Sequence, residues 1–353
     1  MRNLIADLDR LLAGETAVGR GVVTSVWGSA PEPEGAVLIA TADGKMAGSV
    51  CGGCVEGAVM EEIQGAIRRG SPRLLSYGVS EEKAWSVGLA CGGSIKILVE
   101  PAVRPELLPL LRERVGIVLA TVLTDEGGAI LVTDDGTAPR ILPAFSGDEI
   151  SERDTPARLS PLLPEIVSAA NAALRAEASR TVELAGIPIF FEVIPRPPRL
   201  IIFGAGGIAA ELVPMAKRVG FETVVADGRE AFLQKERFRD ADRLILGWPD
   251  AAFKETGIDK DTYICLLSHD PKFDEPALRI ALKSNARYIG AIGSRKTQAA
   301  RRERLMAEGF HETEIGRIHG PIGLNLGGRR PAEVAVGILA EVVQARYGRG
   351  IGE

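Results

Sequence analysis

The C-terminal half carries the stretch Phe203-Gly204-Ala205-Gly206-Gly207-Ile208-Ala209, which fits the pattern G-x-G-x-x-G/A. The apolar run Leu200 to Phe203 predicts a buried strand, and a helix is predicted from Ile208 to about Val219. Gly204 permits a tight turn, and Gly206 lets the backbone approach a pyrophosphate that the helix N-terminus attracts. The stretch therefore predicts the dinucleotide-binding turn of a Rossmann-like fold.

An acidic residue follows the loop at the spacing of nucleotide sites. Asp227 follows the next predicted strand, Thr223 to Ala226, and lies 21 residues after Gly206, where a carboxylate bonds ribose hydroxyls. It would also repel a 2′-phosphate, although Arg229 nearby carries the opposite charge. The alternative is a tight turn that holds no ligand. The pattern indicates a dinucleotide-like cofactor without specifying NAD, and the candidate binding residues are Gly204, Gly206, Gly207 and Asp227.

Alternating strands and helices predict the architecture of the C-terminal half. Pro195-Arg196-Pro197-Pro198 marks a stiff linker, because proline continues neither a helix nor a central strand. After it, helical segments separate apolar runs up to a last helix at about Ala332 to Ala345. Such alternation is typical of a doubly wound parallel sheet. We predict a Rossmann-like domain over 199–353, with further strands at Leu244 to Leu246, Tyr263 to Leu267 and Arg287 to Ile289.

The half before the linker has a different pattern. Short strand-like runs are separated by turn residues such as Asp134-Asp135-Gly136, and helical patches fall at about 55–69 and 160–178. We predict a mixed α+β domain over 1–194, which makes the whole chain α/β. Its predicted strands are Gly21 to Val26, Ala36 to Ala40, Ile95 to Val99, Ile117 to Leu123, Ala129 to Val132 and Ile189 to Ile194.

Polar residues follow the later strands of the C-terminal half. Ser268-His269-Asp270 come after the run that ends at Leu267, and Gly293-Ser294-Arg295-Lys296 lie at a predicted helix start. Ligands of open α/β sheets bind at the carboxyl ends of the strands. A cation there, Arg295 or Lys296, can pair with phosphate. The alternative is that His269 caps a helix and Arg295 is a solvated charge. We expect a cofactor site that includes His269, Asp270, Ser294 and Arg295.

Two glycine-flanked cysteines lie in the N-terminal half, in Gly52-Gly53-Cys54-Val55-Glu56-Gly57 and in Leu89-Ala90-Cys91-Gly92-Gly93. Apolar residues at helical spacing follow Cys54, so its thiol is predicted at a helix N-terminus, where the dipole and exposed N–H groups favour the thiolate. Glu56 opposes this effect or acts as a proton acceptor. Gly52, Gly53, Gly92 and Gly93 leave room for a ligand to approach the backbone. The candidate reactive residues are Cys54, Cys91 and Glu56.

Cys51-Gly52-Gly53-Cys54 is formally a C-x-x-C motif, and three interpretations compete for it. A ligand-contacting thiol needs only Cys54, or Cys54 with Cys91. A thioredoxin-like redox pair usually adjoins a βαβ unit, and a zinc site needs four ligands, whereas this half has three cysteines and no histidine. The remaining alternative is that the thiols are buried in a tight loop. Cys265, in an apolar run, is expected in the core.

The composition argues against several classes of function. The net charge is −5 and aromatic residues make up 5%, a poor basis for binding nucleic acid. No stretch approaches the roughly 18 consecutive apolar residues of a membrane span, and Asp7 and Asp9 lie where a signal peptide needs an apolar core. Four cysteines do not make a secreted disulfide framework. We predict a cytoplasmic protein with reduced thiols that binds neither nucleic acid nor membrane.

Several longer segments form a recognisable set of motifs. One is the cysteine segment Gly48 to Val59, and the C-terminal half adds the Gly204 loop, Leu267-Ser268-His269-Asp270, Tyr288 to Arg295 and Pro321 to Leu324. Together they resemble the XdhC/CoxI family, the accessory factors of xanthine dehydrogenase and related molybdoenzymes. The resemblance covers both halves, and the stretch from about 105 to 195 is less well marked.

The resemblance implies an accessory protein, a chaperone more than a catalyst. It implies that the protein binds the molybdenum cofactor, a pyranopterin that also exists in a dinucleotide form, supports its sulfuration and helps to insert it into an enzyme. Cys54 corresponds to the family cysteine and is the implied molybdenum contact, with Cys91 a second candidate, because a soft thiolate suits molybdenum. The implied partners are an apo-molybdoenzyme of the xanthine dehydrogenase type, a cysteine desulfurase or sulfurtransferase, and a second copy of the chain in a homodimer.

The chain departs from the family pattern at two positions. Cys51 stands where the family usually has serine, so the C-x-x-C motif is either incidental or adds disulfide chemistry. Gly207 stands where the family usually has histidine, which removes that side chain and keeps the phosphate-binding backbone. Two other functions stay open: an NAD-dependent oxidoreductase, with His269 as the candidate acid, and a thiol-based sulfur or redox carrier that uses Cys51 and Cys54.

Overall fold

The computed structural model describes residues 1–14, 16–78, 93–124, 127–145 and 159–348. The chain divides into two compact units between Arg196 and Pro197, within the run of prolines. Among the described residues, no helix is long and apolar enough to cross a membrane.

The first sheet of the N-terminal unit is antiparallel, with strand order β3-β2-β1-β5-β4. Helix α1 (Ile5–Leu12) precedes it, and helix α2 (Glu56–Arg69) lies on one face, where Val59 and Ile63 are fully buried. The loop between β3 and α2 holds Cys51 and Cys54. The strands are β1 (Val18–Trp27), β2 (Val37–Thr41), β3 (Met46–Gly48), β4 (Arg73–Tyr77) and β5 (Ser94–Glu100).

The second sheet of this unit is also antiparallel, with strand order β8-β7-β6-β10-β9. Helix α3 (Leu107–Arg112) precedes it, and helix α4 (Leu163–Ala176) packs on it through Ile166 and Ala170. The mixed α+β prediction is thus confirmed. The strands are β6 (Ile117–Val122), β7 (Ala129–Thr133), β8 (Arg140–Leu142), β9 (Arg180–Leu184) and β10 (Ile187–Ile194).

A buried ionic network joins the two sheets. Arg20 of β1 is fully buried and donates through Nε to Glu100 of β5 at 2.6 Å and through Nη1 to Glu192 of β10 at 2.9 Å. Arg104 lies 3.6 Å from Glu100 and is also buried. Burial by itself would lower the pKa of Arg20, but the two carboxylates outweigh it and raise the pKa. The charges therefore compensate one another inside the unit.

The C-terminal unit contains a parallel sheet with strand order β13-β12-β11-β14-β15-β16, that of a Rossmann fold, as predicted. The chain order reverses between β11 and β14, and this switch point is where ligands of such sheets bind. The strands are β11 (Arg199–Phe203), β12 (Glu222–Asp227), β13 (Arg243–Leu246), β14 (Thr262–Leu266), β15 (Tyr288–Ala291) and β16 (Ile318–His319).

Helices cover this sheet, and the central strands are buried because both faces are packed. The helices are α5 (Gly207–Arg218), α6 (Pro249–Thr256), α7 (Pro271–Leu282), α8 (Arg295–Ala307), α9 (Glu312–Ile315) and α10 (Pro331–Tyr347). Every strand predicted in the chain has a counterpart. The short edge strands β3, β4, β8, β9 and β16 escaped prediction, since each has few fully buried positions to give a periodic pattern.

Candidate functional site

The glycine loop turns directly from β11 into α5. Gly204 has φ +108°, and a Cβ there would lie 2.5 Å from the backbone nitrogen of Ser268. A side chain at this position is excluded both by backbone conformation and by space. A Cβ on Gly206, in contrast, would meet nothing within 4 Å. The first turn of α5 has no side-chain cap, so its N–H groups are available to an anion.

An arginine that sequence reasoning missed lies beside this loop. Arg237 donates through Nη1 to the carbonyl of Ala205 at 3.3 Å. A Cβ on Gly207 would lie 3.9 Å from Nη2 of Arg237. A guanidinium thus stands close to the position from which the family's histidine side chain would project. No spacing rule marks it, because it comes from the irregular segment between β12 and β13.

The carboxylate of Asp227 is engaged by the protein itself. The sequence predicts that it bonds ribose hydroxyls, but its side chain is 1% exposed and its Oδ2 accepts the Ala205 N–H at 2.9 Å. Arg229 donates Nε to Oδ1 and Nη2 to Oδ2, both at 2.9 Å, and its backbone N–H also bonds Oδ1. Burial would raise the pKa of Asp227, but these hydrogen bonds outweigh it and lower the pKa. Both oxygens are thus hydrogen-bonded within the protein, and the ribose role of Asp227 stays a prediction.

Aromatic side chains fill the space next to Asp227. The Phe273 ring is so close to Gly228 that a Cβ there would lie 2.6 Å from it. Its centroid is 4.7 Å from that of Trp248, and the Arg229 guanidinium lies 4.0 Å from the centroid of Phe232. Phe273 thus packs directly against the backbone that follows β12.

A cavity of about 470 Å³ lies on the other side of the switch point, at the ends of β14 and β15. Ile208, in the first turn of α5, is part of its wall. Its walls also include His269, Ser294 and Thr297 among apolar residues such as Ile292 and Ile322. This volume is in the range of small-molecule sites.

A buried acid lies in the wall of this cavity. Asp274 is 2% exposed, and Ser268 donates its hydroxyl to Oδ1 at 2.5 Å. Arg301 lies 3.6 Å from Oδ2. Burial raises the pKa of Asp274 despite both partners. The adjacent His269 has φ +59°, an uncommon conformation for a residue other than glycine, found often at functional sites.

The other predicted residues of this edge have different positions. Asp270, rather than His269, caps helix α7, with Oδ1 accepting the Lys272 N–H at 3.0 Å. Ser294 caps α8 and also lines the cavity. Arg295 is exposed in the first turn of α8, and the cations that line the cavity are Arg301 and Arg304.

The cysteine loop of the N-terminal unit is held by Glu56. Its carboxylate accepts five hydrogen bonds at 2.8–3.2 Å. Burial would raise the pKa of Glu56, but the hydrogen bonds outweigh it and lower the pKa. These bonds show that Glu56 holds the loop, and its role as a proton acceptor stays a prediction. The donors are the Ser49 hydroxyl and the N–H groups of Val50, Cys51, Gly53 and Val55.

The five hydrogen bonds accepted by Glu56, called here the Glu56 clamp, hold the two thiols of the loop in different environments. Cys51 is 1% exposed and packs in the core beside α2, whereas Cys54 is exposed just before the helix begins. Gly52 and Gly53 have φ +71° and +112°, so the turn between the cysteines depends on glycine. Of the glycine N–H groups predicted to stabilise a Cys54 thiolate, that of Gly52 donates to the Ser49 hydroxyl and that of Gly53 donates to Glu56. The arrangement presents one thiol to solvent.

The second cysteine site lies largely outside the described residues, since these include neither Cys91 nor Gly92. Gly93 is described, and its Cβ direction is filled by neighbouring backbone. A Cβ there would lie 2.5 Å from the Ser29 carbonyl oxygen and 2.8 Å from that of Trp27. Its lack of a side chain is therefore needed for close backbone packing. Within the described ranges, no group of His, Cys, Asp and Glu is arranged to hold a metal ion.

A second cavity, of about 680 Å³, lies in the N-terminal unit. Ser49, the residue at the start of the clamped loop, is part of its wall together with Glu32, Glu34 and Ser179. Burial raises the pKa of Glu34, even though a backbone hydrogen bond opposes the change. The cysteine loop thus borders a space large enough for a small molecule.

These features define a class of protein in which a thiol-bearing α+β unit is joined to a Rossmann unit. Two family models match the chain: the XdhC and CoxI family over residues 11–78, and the XdhC Rossmann domain over residues 200–342. Together the two matches span more than half of the sequence. The chain belongs to the XdhC/CoxI family.

Known relatives match this chain over nearly its whole length. A Bacillus subtilis protein, named as a probable subunit of xanthine dehydrogenase, is 26% identical, with 98% of each chain covered. The Escherichia coli molybdenum cofactor insertion chaperone PaoD is 27% identical over 96% of this chain and 86% of its own. A crystal structure described as a xanthine dehydrogenase from Bacillus halodurans superposes with a TM-score of 0.74, at 25% identity and with 100% and 98% of the two chains covered.

Proposed function

We propose that this protein is an accessory factor that binds the molybdenum cofactor, supports its sulfuration and delivers it to an apo-molybdoenzyme of the xanthine dehydrogenase type. The observation that carries the proposal is the exposed thiol of Cys54 on a loop fixed by Glu56. A soft sulfur ligand suits molybdenum. Relatives named for cofactor insertion and for xanthine dehydrogenase support this choice of cargo and client.

The residues present fit a carrier better than a catalyst. Cys54 is exposed, so a bulky ligand can reach the sulfur without opening the fold. Gly52 and Gly53 project no side chain toward an arriving ligand, and a Cβ on Gly53 would meet nothing within 4 Å. The proposed domains are 1–194, with the thiol, and 199–353, with the phosphate-binding type of loop at Gly206. We place the protein in the cytoplasm, working with a cysteine desulfurase or sulfurtransferase as a homodimer.

The unreachable carboxylate of Asp227 weighs against the alternative of an NAD-dependent oxidoreductase. NAD is held in Rossmann sites by a carboxylate on its ribose, and Asp227 is buried and paired with Arg229. The alternative of a redox carrier needs two thiols that can pair. Cys51 is buried in apolar packing while Cys54 is exposed, and this difference weighs against that alternative.

The proposal predicts that Cys54→Ala purified from a cofactor-producing host carries less than about a tenth of the wild-type molybdenum and pterin, because the variant lacks the soft ligand. A tenfold loss corresponds to about 1.4 kcal/mol of affinity. Metal content and the fluorescence of the oxidised pterin measure both parts of the cofactor. Cys51→Ser is the matched control: it alters the other thiol of the same loop and should retain the cofactor.

Three results would contradict the carrier function. Equal loading of Cys54→Ala and wild type, with unchanged circular dichroism, would remove the thiol contact. Wild-type protein without molybdenum or pterin would remove the cargo. Tight binding of NADH, with substrate-dependent change in its absorbance, would favour the oxidoreductase instead.

A further inference from the structure

The cavity of about 680 Å³ in the N-terminal unit has two carboxylates in its wall that are not neutralised by a cation. Glu32 and Glu34 are both half-buried, and neither forms an ion pair with any described residue. Burial raises the pKa of Glu34, and only a hydrogen bond with the backbone of Val26 opposes this change. The guanidinium of Arg2 is directed to four backbone carbonyls at and just after the end of α3. The cavity therefore offers carboxylate acceptors to a ligand.

A short turn fixes the position of these two carboxylates. Both belong to the segment Pro31-Glu32-Pro33-Glu34-Gly35, in which the two prolines restrict the backbone. Gly35 has φ +86°, and its N–H donates to the carbonyl of Val23 at 2.8 Å. A Cβ at Gly35 would collide with the hydroxyl of Ser179, so the turn depends on glycine. Acceptors held in this way are preorganised, which reduces the entropic cost of binding a ligand.

The cavity adjoins the loop that carries Cys54. Ser49 lies in the cavity wall, and its hydroxyl donates to Glu56 at 2.8 Å. The same hydroxyl accepts the N–H of Gly52 at 2.9 Å. A Cβ on Gly52 would lie 3.3 Å from the side chain of Pro31, where the acidic segment begins. The segment with the carboxylates and the segment with the thiol thus pack against each other.

The wall of the cavity selects a class of ligand. An ionised carboxylate only accepts hydrogen bonds, and its two oxygens match two adjacent N–H donors. Apolar side chains, among them Leu4, Val37 and Val193, line the same cavity and suit a flat ring. Within the described ranges, the acids are not arranged to hold a metal ion. An aminopyrimidinone, the edge that a pterin shares with guanine, presents a ring N–H beside an amino group and has both properties.

We infer that this cavity binds the aminopyrimidinone edge of the pterin, with Glu34 accepting its two adjacent N–H donors and Glu32 supplying a further acceptor. The inference rests on the proposed function, because it places one end of the proposed cargo in the N-terminal unit, beside the loop of Cys54. It also orients the cargo: the two carboxylates repel a phosphate, so the ring end enters the cavity and the phosphate end stays outside.

Free pteridines test the cavity without the metal, the phosphate or the thiol contact. The probes are 6-hydroxymethylpterin, 6-hydroxymethyllumazine, which has a carbonyl in place of the amino group, and guanosine. Each is titrated into the wild-type protein by equilibrium dialysis. We expect the pterin to bind at least about tenfold more tightly than the lumazine, because the lumazine loses a charge-assisted hydrogen bond and turns a carbonyl toward a carboxylate.

Glu34→Gln tests the residue assignment. The amide sets an NH2 group against the donors of the ligand, so affinity for the pterin should fall at least about tenfold and the preference over lumazine should disappear. Glu34→Asp keeps the charge and should retain the preference at lower affinity. Glu183→Gln is the matched control, because Glu183 is exposed on β9 of the same unit and outside the cavity wall, and it should bind as the wild type does.

Each outcome decides a separate point. Equal binding of pterin and lumazine by wild type, or binding of neither, overturns the inference and leaves the carrier function to its own test. Tighter binding of guanosine than of pterin would assign the cavity to a guanine nucleotide and overturn the inference as well. A preference that persists in folded Glu34→Gln removes Glu34 from the site. Selective pterin binding by wild-type protein that purifies without molybdenum would support the cavity and contradict the carrier function.

Discussion

Replacing Arg20 by methionine is expected to lower the free energy of unfolding of the N-terminal unit by about 3 to 5 kcal/mol, since it leaves buried carboxylates without their partner. Glu100 and Glu192 are each 1% exposed, and Arg20 bonds to both. Methionine fills much of the volume of the arginine side chain. The loss in free energy of unfolding therefore reflects the unpaired charges more than a cavity. Arg104 would remain as a cation 3.6 Å from Glu100.

Amide hydrogen exchange can measure the stability of the N-terminal unit separately from that of the C-terminal unit. The slowest amides of β1, β5 and β10 should lose protection by the predicted amount, while those of β11 and β14 serve as an internal reference. Arg73→Met is the control: its ion pair with Glu62 leaves the arginine side chain 59% exposed, and a change within about 0.5 kcal/mol is expected. A loss below about 1 kcal/mol in Arg20→Met would mean that the network adds little to stability.

The Rossmann unit was predictable because its determinants are local. Gly204 needs a positive φ and close contact with Ser268, and such a requirement marks the sequence directly. The strands β11, β12 and β14 appear as continuous apolar runs because they are buried on both faces of the sheet. The helix after Cys54 followed from the burial of Val59 and Ile63 on one face.

What the sequence could not reveal depends on how side chains pair after folding. Asp227 has the spacing of a ribose-binding acid, yet the guanidinium two residues later takes both its oxygens. Glu56 lies two residues after Cys54, a position that suggested a proton acceptor for the thiol. In the structure its carboxylate accepts hydrogen bonds from N–H groups of the loop. Arg237 and Asp274 belong to the site through tertiary position alone. Spacing thus selected candidate residues, and the hydrogen bonds that two of them form became visible only in the folded structure.

Glu56→Gln is expected to release the cysteine loop while leaving helix α2 in place. The amide keeps one acceptor oxygen and sets an NH2 group against backbone donors, so several of the five hydrogen bonds are lost. A loss of about 2 to 3 kcal/mol of charge-assisted bonding corresponds to loop opening that is roughly 30- to 160-fold more frequent. Mass mapping of alkylated peptides should then show Cys51 reacting much faster, because opening exposes a thiol that is 1% exposed in the closed loop.

The same clamp gives the wild-type loop a defined pH dependence. The folded pKa of Glu56 is lowered, so its contribution to stability is fully present above the unfolded value of about 4.3 and is lost as the pH falls through the folded pKa. Exchange of the amides at 50–55, corrected for its intrinsic pH dependence, should therefore accelerate in the wild type only at acid pH and be nearly pH-independent in Glu56→Gln.

Glu61→Gln provides the comparison on the same helix, because Glu61 is exposed. It should leave both Cys51 labelling and loop exchange as in the wild type. If Glu56→Gln kept Cys51 protected, the glycine turn at Gly52 and Gly53 alone would hold the loop. If it released the loop and also abolished cofactor loading while Cys54 stayed reactive, the position of the thiol, and not its exposure alone, would be what the carrier requires.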